Sequence, residues 1–189
     1  MYKRQAINDL KGLGAEIVEI DAEQVSFSQF VTFLNADMQR DFPKYMSSSA
    51  GPEISISTVE DVVNYNLEDS LLRAPYGQAL FEGVVAEKIS NEDFEILKTD
   101  YDKMGKSFFN TPMDAHNLDA ILSINNYNSG HAAMAKYPCL TVPMGYETDG
   151  QPKNITFIAK TYQEDKLLKI GYAYEQATQK RKTPGNYKK

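Results

Sequence analysis

The sequence predicts an α/β fold on three observations. It opens with a helix–glycine–apolar-strand unit, its middle carries apolar residues at steps of three and four, and near its end a strand–turn–strand signal precedes an amphipathic stretch. Taken in order, residues 3–13 read as a helix that ends around Gly12 and Gly14. Ala15-Glu16-Ile17-Val18-Glu19-Ile20 alternates in part and reads as a strand feeding a buried sheet. Residues 26–46 read as a helix whose face collects Phe27, Phe30, Val31, Leu34, Met38 and Tyr45. Ser47 to Ser57 reads as a loop broken by Gly51 and Pro52. Ser57-Thr58-Val59-Glu60 has capping-box spacing, with Ser57 as N-cap and Glu60 at N3, and starts a short helix to about Asn66.

Pro75-Tyr76-Gly77-Gln78 is expected to be a loop before a helix over about 78–87. Ser90-Asn91-Glu92-Asp93 opens the longest helix, to about 110, with Phe94, Leu97, Tyr101, Met104 and Phe108 as a core stripe. Leu118–Ser123 is expected as a strand, 125–128 as a loop and 129–136 as a short helix of small residues. Residues 138–145 form a strand, the Thr148-Asp149-Gly150 turn carries the Asp-Gly hairpin signal, and 153–160 pairs back antiparallel. Pro143, with no N–H to give to a ladder, is expected to end the Leu140–Val142 strand. A final helix over 163–179 places Leu167, Ile170, Gly171 and Tyr174 on one face, and the basic tail 180–189 is expected to fray or cross over.

Composition excludes several function classes. Apolar residues make up 42% and charged residues 24%, which is ordinary for a globular chain. The net charge of −6 gives no basic footprint for nucleic acid or an anionic membrane. One cysteine, Cys139, excludes an intrachain disulfide and a multi-cysteine zinc site, and two histidines are too few for a His-rich one. No apolar run approaches the roughly 18 residues of a spanning helix, and the N-terminus has no apolar signal-peptide core. The compartment stays open, with a cytoplasmic one favoured. The 189 residues, with no repeat and no internal linker, suggest a single region, 1–189, either one domain or a large piece of a bigger one.

Residues 118–181 are the most specific part. "LDAILS", "AAMAKYPCLTVPMG", the turn "YETDG", "NITFIAK" and "LLKIGYAYEQAT" follow one another in an order that resembles the C-terminal segment of amidase-signature enzymes. The upstream stretches "AINDLKGLGAEIVEID" and "PYGQALFEGV" resemble that family too, so the resemblance covers nearly the whole chain. It implies the C-terminal part of the amidase-signature fold, a mixed β-sheet flanked by helices. Small residues Ala132, Ala133 and Ala135 fit a helix packed close to a neighbour.

The family's chemistry is amide hydrolysis by a serine nucleophile, relayed through a second serine to a neutral lysine, with backbone N–H groups holding the oxyanion. In the family this machinery lies in a Gly/Ser-rich segment and an earlier lysine, and neither is present here. The isolated chain is therefore expected to be inactive, with no catalytic residue. Ser47-Ser48-Ser49-Ala50-Gly51 is superficially similar to the serine motif. It lacks the clustered glycines and follows the helix–strand that should come after the catalytic core, so it reads as a surface loop, with Lys44 solvated.

The resemblance places the loop after "LDAILS" at the border of the acyl pocket, which makes Asn125, Asn126 and Tyr127 candidate substrate-binding residues. The alternative for these asparagines is that they cap turns or the following helix. Tyr76, with Gly77 and Gln78, is a second candidate patch that could be only a turn. The glutamine-using branch of the family places an acidic residue near the Asn126 position, and an amide there compensates a free ammonium poorly. That favours an uncharged linear or cyclic amide as substrate of the whole protein. Cys139 reads as a small core residue and His131 as a helix-start residue. No metal or organic cofactor, nucleic acid or membrane partner is implied. A fragment of a larger sheet exposes an edge and an apolar face, so self-association is expected. A stand-alone binding or regulatory module built on the same fold is the alternative reading.

Overall fold

The computed structural model describes residues 2–21 and 24–183. It divides into two compact units, one within residues 1–25 and 101–189 and the other within residues 26–100. Of the tail expected over 180–189, residues 184–189 lie outside the described residues.

The first unit is built on β1 (Ile121–Ile124), β2 (Cys139–Tyr146) and β3 (Pro152–Ile158), in the order β1–β3–β2. Both pairings are antiparallel, so β3 is the central strand. The Asp-Gly turn forms as read, with Gly150 at φ +87° and Glu147 N–H donating to Gln151 O at 2.8 Å. Alternation then sends the side chains to two faces. Leu122, Leu140, Val142, Met144, Ile155 and Phe157 meet Ala6 and Leu10 of α1 (Tyr2–Gly12) and Leu167 and Tyr174 of α8 (Glu164–Thr178). Tyr174 is fully enclosed, and burial, aided by the Asp9 carboxylate, pushes its phenol up to about 12.

On the opposite face, Ile121 and Ile158 meet Phe108, Phe109 and Met113 of α6 (Asn91–His116), with Ala132 and Ala135 of α7 (Ser129–Ala135). The expected close approach of a small-residue helix is real for Ala132 and Ala135, whereas Ala133 is exposed. Its partner is Gly105 of α6, where an added Cβ would lie 2.5 Å from the Ala135 backbone nitrogen. α6 passes the expected end near 110 and continues through Pro112. The proline removes one backbone donor, but the burial of Phe109 and Met113 on either side holds the helix together.

Two expectations for this unit change. Residues 15–20 form no strand. Alternation specifies where side chains point, but a strand also needs a neighbour to share its ladder, and no described strand pairs with this segment. Ile17 still packs on the α1–α8 side of the sheet and Ile20 on the α6–α7 side. Pro143 does not end β2, which runs on to Tyr146 with an irregular register between Pro143 and Gly145. β2 is an edge strand of this sheet, and an edge tolerates a residue that cannot donate.

The second unit holds α2 (Phe30–Ser49), α3 (Val59–Leu67), α4 (Ser70–Arg73), α5 (Ala79–Ala86) and the first ten residues of α6. α2 extends past the expected end at 46 and takes in the serine run. The apolar face read for it is only partly used, because Val31, Leu34 and Tyr45 are exposed. The covered stripe runs through Phe33, Ala36 and Arg40: Phe33 stacks on Phe94 at 5.5 Å, Ala36 is fully buried, and the Arg40 guanidinium sits 4.2 Å over the Phe94 ring. Gln39 ties α2 to α5 through the Val84 carbonyl at 3.0 Å. The capping box is real but one residue later than read: Thr58 is the N-cap and Asp61 the N3 residue. A shorter carboxylate suffices because Asp61 Oδ2 accepts from the backbone N–H groups of both Ser57 and Thr58 and from the Ser57 hydroxyl.

Gly105→Ala is expected to destabilise the chain by about 1–3 kcal/mol despite alanine's better helix propensity, because the new methyl meets backbone. Gly171→Ala, whose methyl meets only the movable end of Leu140, should cost less. Urea unfolding of both variants measures the difference. Hydrogen bonds from Ser57 and Thr58 lower the Asp61 carboxyl to about 2 from an ordinary 3.8. The cap's contribution is then complete above pH 3.8 and lost as pH falls through about 2. Amide exchange at Val59–Asp61 should rise over that window beyond its intrinsic rate, and Asp61→Asn should abolish the excess pH dependence.

Candidate functional site

The α6–α7 layer covers only the Ile121/Ile158 end of its sheet face, and the rest opens into a cleft of about 310 Å³. Its floor is a row of hydroxyls. In the registers Ser123↔Thr156 and Thr141↔Thr156, the three side chains stand side by side on one face. Thr141 and Thr156 Oγ1 are 2.8 Å apart, Thr156 Oγ1 donates to Asn125 O at 2.5 Å, and Ser123 Oγ donates to Asn128 Oδ1 at 2.6 Å. Ser123 and Thr156 are buried and Thr141 is exposed. Asn126, Asn154, Ser129 and Cys139 contribute to the rim, and no described residue lining the cleft carries a formal charge.

Asn125 explains how the loop is held. It adopts a left-handed conformation, φ +49°, which asparagine tolerates better than most residues. Its backbone N–H donates to Asn154 O and its side-chain Oδ1 accepts from Asn154 N–H, both at 2.9 Å. The side-chain carbonyl thus extends the β1–β3 ladder by one step after the backbone has turned away. Asn126 O accepts from Ser129 N–H and starts α7.

The five residues expected to bind substrate therefore separate. Asn125 and Asn126 line the cleft, with the Asn125 carbonyl committed to the sheet. Tyr127 is 73% exposed and is not part of the cleft lining. Tyr76 and Gln78 belong to the second unit. There Tyr76 is fully exposed, while Gln78 accepts from Asn66 Nδ2 at 3.0 Å and donates to Val63 O, joining α3 to the start of α5. Sequence reading missed Ser123, Thr141, Thr156 and Asn154. The available signal was a single hydroxyl inside each of three short apolar strands, and it gains meaning only once the strands are in register.

Cys139 is exposed at the cleft rim, not in the core, because odd-numbered residues of β2 face away from α8. Partial desolvation pushes its thiol up, so it is not a ready nucleophile. His131 packs its ring 4.3 Å from that of Phe108, and burial lowers its pKa. The serine run is helical where a loop was expected: Ser47 and Ser48 donate back to Lys44 O and Tyr45 O in the last turn of α2. Lys44 is an exposed cation paired with Asp41 at 2.8 Å, which lowers the Asp41 carboxyl. A neutral lysine behind a serine relay is not what this arrangement offers. Among the described residues, no group of three His, Cys, Asp or Glu could hold a metal ion, and no helix is long and apolar enough to cross a membrane.

No family model matches the chain. Individual proteins do. A probable amidase of Arabidopsis thaliana is 29% identical over 131 residues, which cover 68% of this chain and 26% of that protein. A glutamyl-tRNA(Gln) amidotransferase subunit from Neorickettsia sennetsu is 24% identical over 92% of this chain and 40% of its own length. Among solved structures, an amidase family protein from Bacillus anthracis superposes with a TM-score of 0.87 at 29% identity, covering 97% of this chain and 36% of that one. The native peptide amidase of Stenotrophomonas maltophilia superposes with a TM-score of 0.83 at 25% identity, over 97% of this chain and 40% of that one. The chain spans about a quarter to two-fifths of the length of these relatives. Together with the ordered motifs of residues 118–181, these likenesses make the chain similar over nearly its whole length to part of amidase-family proteins.

Proposed function

We propose that this chain supplies sheet and one wall of the substrate pocket in a larger amidase, and that the larger protein hydrolyses C–N bonds of linear or cyclic amides other than peptide bonds. The observation that carries the reading is the cleft. It is concave, it is lined by hydroxyls and carboxamides, and it is formed by the family-like segment between Ser123 and Ile158. Such groups orient a neutral polar substrate without supplying an acid, base or nucleophile. The serine and lysine of the reaction come from outside this chain on this reading, and the chain alone does not turn over an amide. Asn126 at the rim favours an uncharged acyl group over a free glutamine, whose ammonium would meet no carboxylate among the cleft's described lining.

In the full-length protein, Asn126→Asp is expected to lower kcat/KM for uncharged amides by roughly tenfold and to improve glutamine relative to them. Ser48→Ala, in the last turn of α2, should change neither. Loss of activity in Ser48→Ala, or turnover by the isolated chain well above the buffer rate, would overturn the assignment.

We infer further that the isolated chain self-associates. Its second unit leaves Leu71 89%, Leu72 76% and Leu80 84% exposed, a set of apolar side chains unusual for a free surface. Light scattering at high concentration should show a mass above that of the 21.3 kDa chain, reduced by a Leu71→Lys/Leu72→Lys/Leu80→Lys triple variant. A strictly monomeric parent chain counts against the inference.

A further inference from the structure

β1 is an outer strand of its sheet, and its outer edge carries no ladder among the described residues. Asn125 N–H donates to Asn154 O at 2.9 Å, so these two residues are a bonded pair at the end of the antiparallel register. Alternation then turns the backbone groups of Ile121 and Ser123 toward β3 and those of Leu122 and Ile124 away from it. The Ile124 carbonyl is taken by Tyr127 N–H at 3.1 Å, where the chain turns. Leu122 N–H, Leu122 O and Ile124 N–H have no described backbone partner.

Residues 16–20 show the same deficit. Ala15 N–H donates to Leu10 O, but among the described residues no backbone group from Glu16 to Ile20 has a backbone partner. A segment with this much unpaired backbone poses an accounting question. It also lies as a strand lies, with Ile17 packed on the α1–α8 side of the sheet and Ile20 on the α6–α7 side. Two clefts separate it from β1, one on each face. The first, of about 370 Å³, has Leu10, Ile17, Ala120 and Phe157 in its lining. The second, of about 400 Å³, has Ile7, Ile20, Phe108 and Ile121. Val18, Leu118 and Leu122 line both, so the two clefts open on one gap from opposite faces. Two unladdered edges with an apolar cleft above the gap and another below it outline a slot for one extended segment. Its backbone would meet both edges, and its alternate side chains would enter the two clefts.

We propose that a β-strand of the larger amidase, from outside this chain, inserts between residues 16–20 and β1, bonds to both and places alternate apolar side chains in the two clefts. This rests on the reading of the chain as part of a larger amidase and goes beyond it by naming the seam where the parts join. Length and burial argue for that source. The chain spans about a quarter to two-fifths of its relatives. The slot is flanked on both faces by this chain's own core residues, so its occupant becomes an interior strand of the same sheet. A second copy is the poorer occupant, because it brings an unfilled slot of its own. Asn128 lines both the slot and the hydroxyl cleft, so one end of the inserted strand arrives beside that cleft.

The test is amide exchange followed by NMR in samples labelled at Leu and Ile, for the 189-residue chain and for the full-length protein. In the chain alone, Leu122 and Ile124 should exchange about a hundredfold faster than Ile121, whose N–H faces β3. In the full-length protein both should slow by about the same factor, and nuclear Overhauser contacts of the Leu122 amide should lead to a residue outside this chain. Ile17 and Ile20 differ in parity, so one of the two should gain protection with them. Slow exchange at Leu122 in the chain alone, independent of concentration, means that residues 16–20 close on β1 unaided and overturns the proposal. Slow exchange that fades on dilution makes a second copy the occupant and overturns it too. So does fast exchange of Leu122 in the full-length protein, or a Leu122 amide contact to residues 16–20. None of these outcomes touches the substrate-wall reading, which Asn126→Asp tests independently.

Discussion

β3 is hydrogen-bonded along both edges, to β1 and to β2, and its side chains alternate between two unlike surroundings. Ile155 and Phe157 enter the core with α1 and α8, while Thr156 and Ile158 face the other way. A slip of one residue would move Phe157 into the polar cleft and Thr156 into the core against Tyr174. Each buried apolar side chain is worth about 1.5–3 kcal/mol, so the register is strongly held. The Asp-Gly turn sets it on one side, and the carbonyl of the Asn125 side chain, bonded to Asn154, pins it on the other.

The cleft follows from that constraint. Fixing Thr156 fixes which residues of β1 and β2 stand beside it, and hence a line of three hydroxyls beside Asn154 on that face. The same face is closed at its far end by α7, which can come close because Gly105 offers no side chain to Ala135. The two faces of the sheet therefore differ: one is packed, and the other is packed at one end and polar at the other.

Much of the element order was legible. The helices at 3–13 and 163–179, the strand before Asn125 and the hairpin around Gly150 were read within a few residues, because each carries its own period and its own terminator. Less local features were misjudged. The stretch 15–20 has a strand's pattern, but the ladder that defines a strand belongs to two segments. Spacing put Phe27, Phe30, Val31, Leu34, Met38 and Tyr45 on one helical face, but Val31, Leu34 and Tyr45 are exposed and the covered line of α2 runs through Phe33, Ala36 and Arg40. The capping box shifted by one residue because a serine and a threonine stood next to each other before acidic residues, and only geometry shows which hydroxyl accepts the Asp61 N–H.

By itself the sequence determined the α/β class, the family to be expected and the absence of a Gly/Ser-rich nucleophile segment, since these depend on residue order and composition. It also singled out the 125–128 loop, which does border the cleft. The tertiary structure decided what that loop's residues do: Asn125 holds the sheet, Asn126 faces the cleft, and Tyr127 lies outside the lining. It also decided that Ser123, Thr156 and Thr141, from three separate strands, stand side by side on one face. Such a row is a property of neighbours in space, and these neighbours meet only when β3 is seated between β1 and β2.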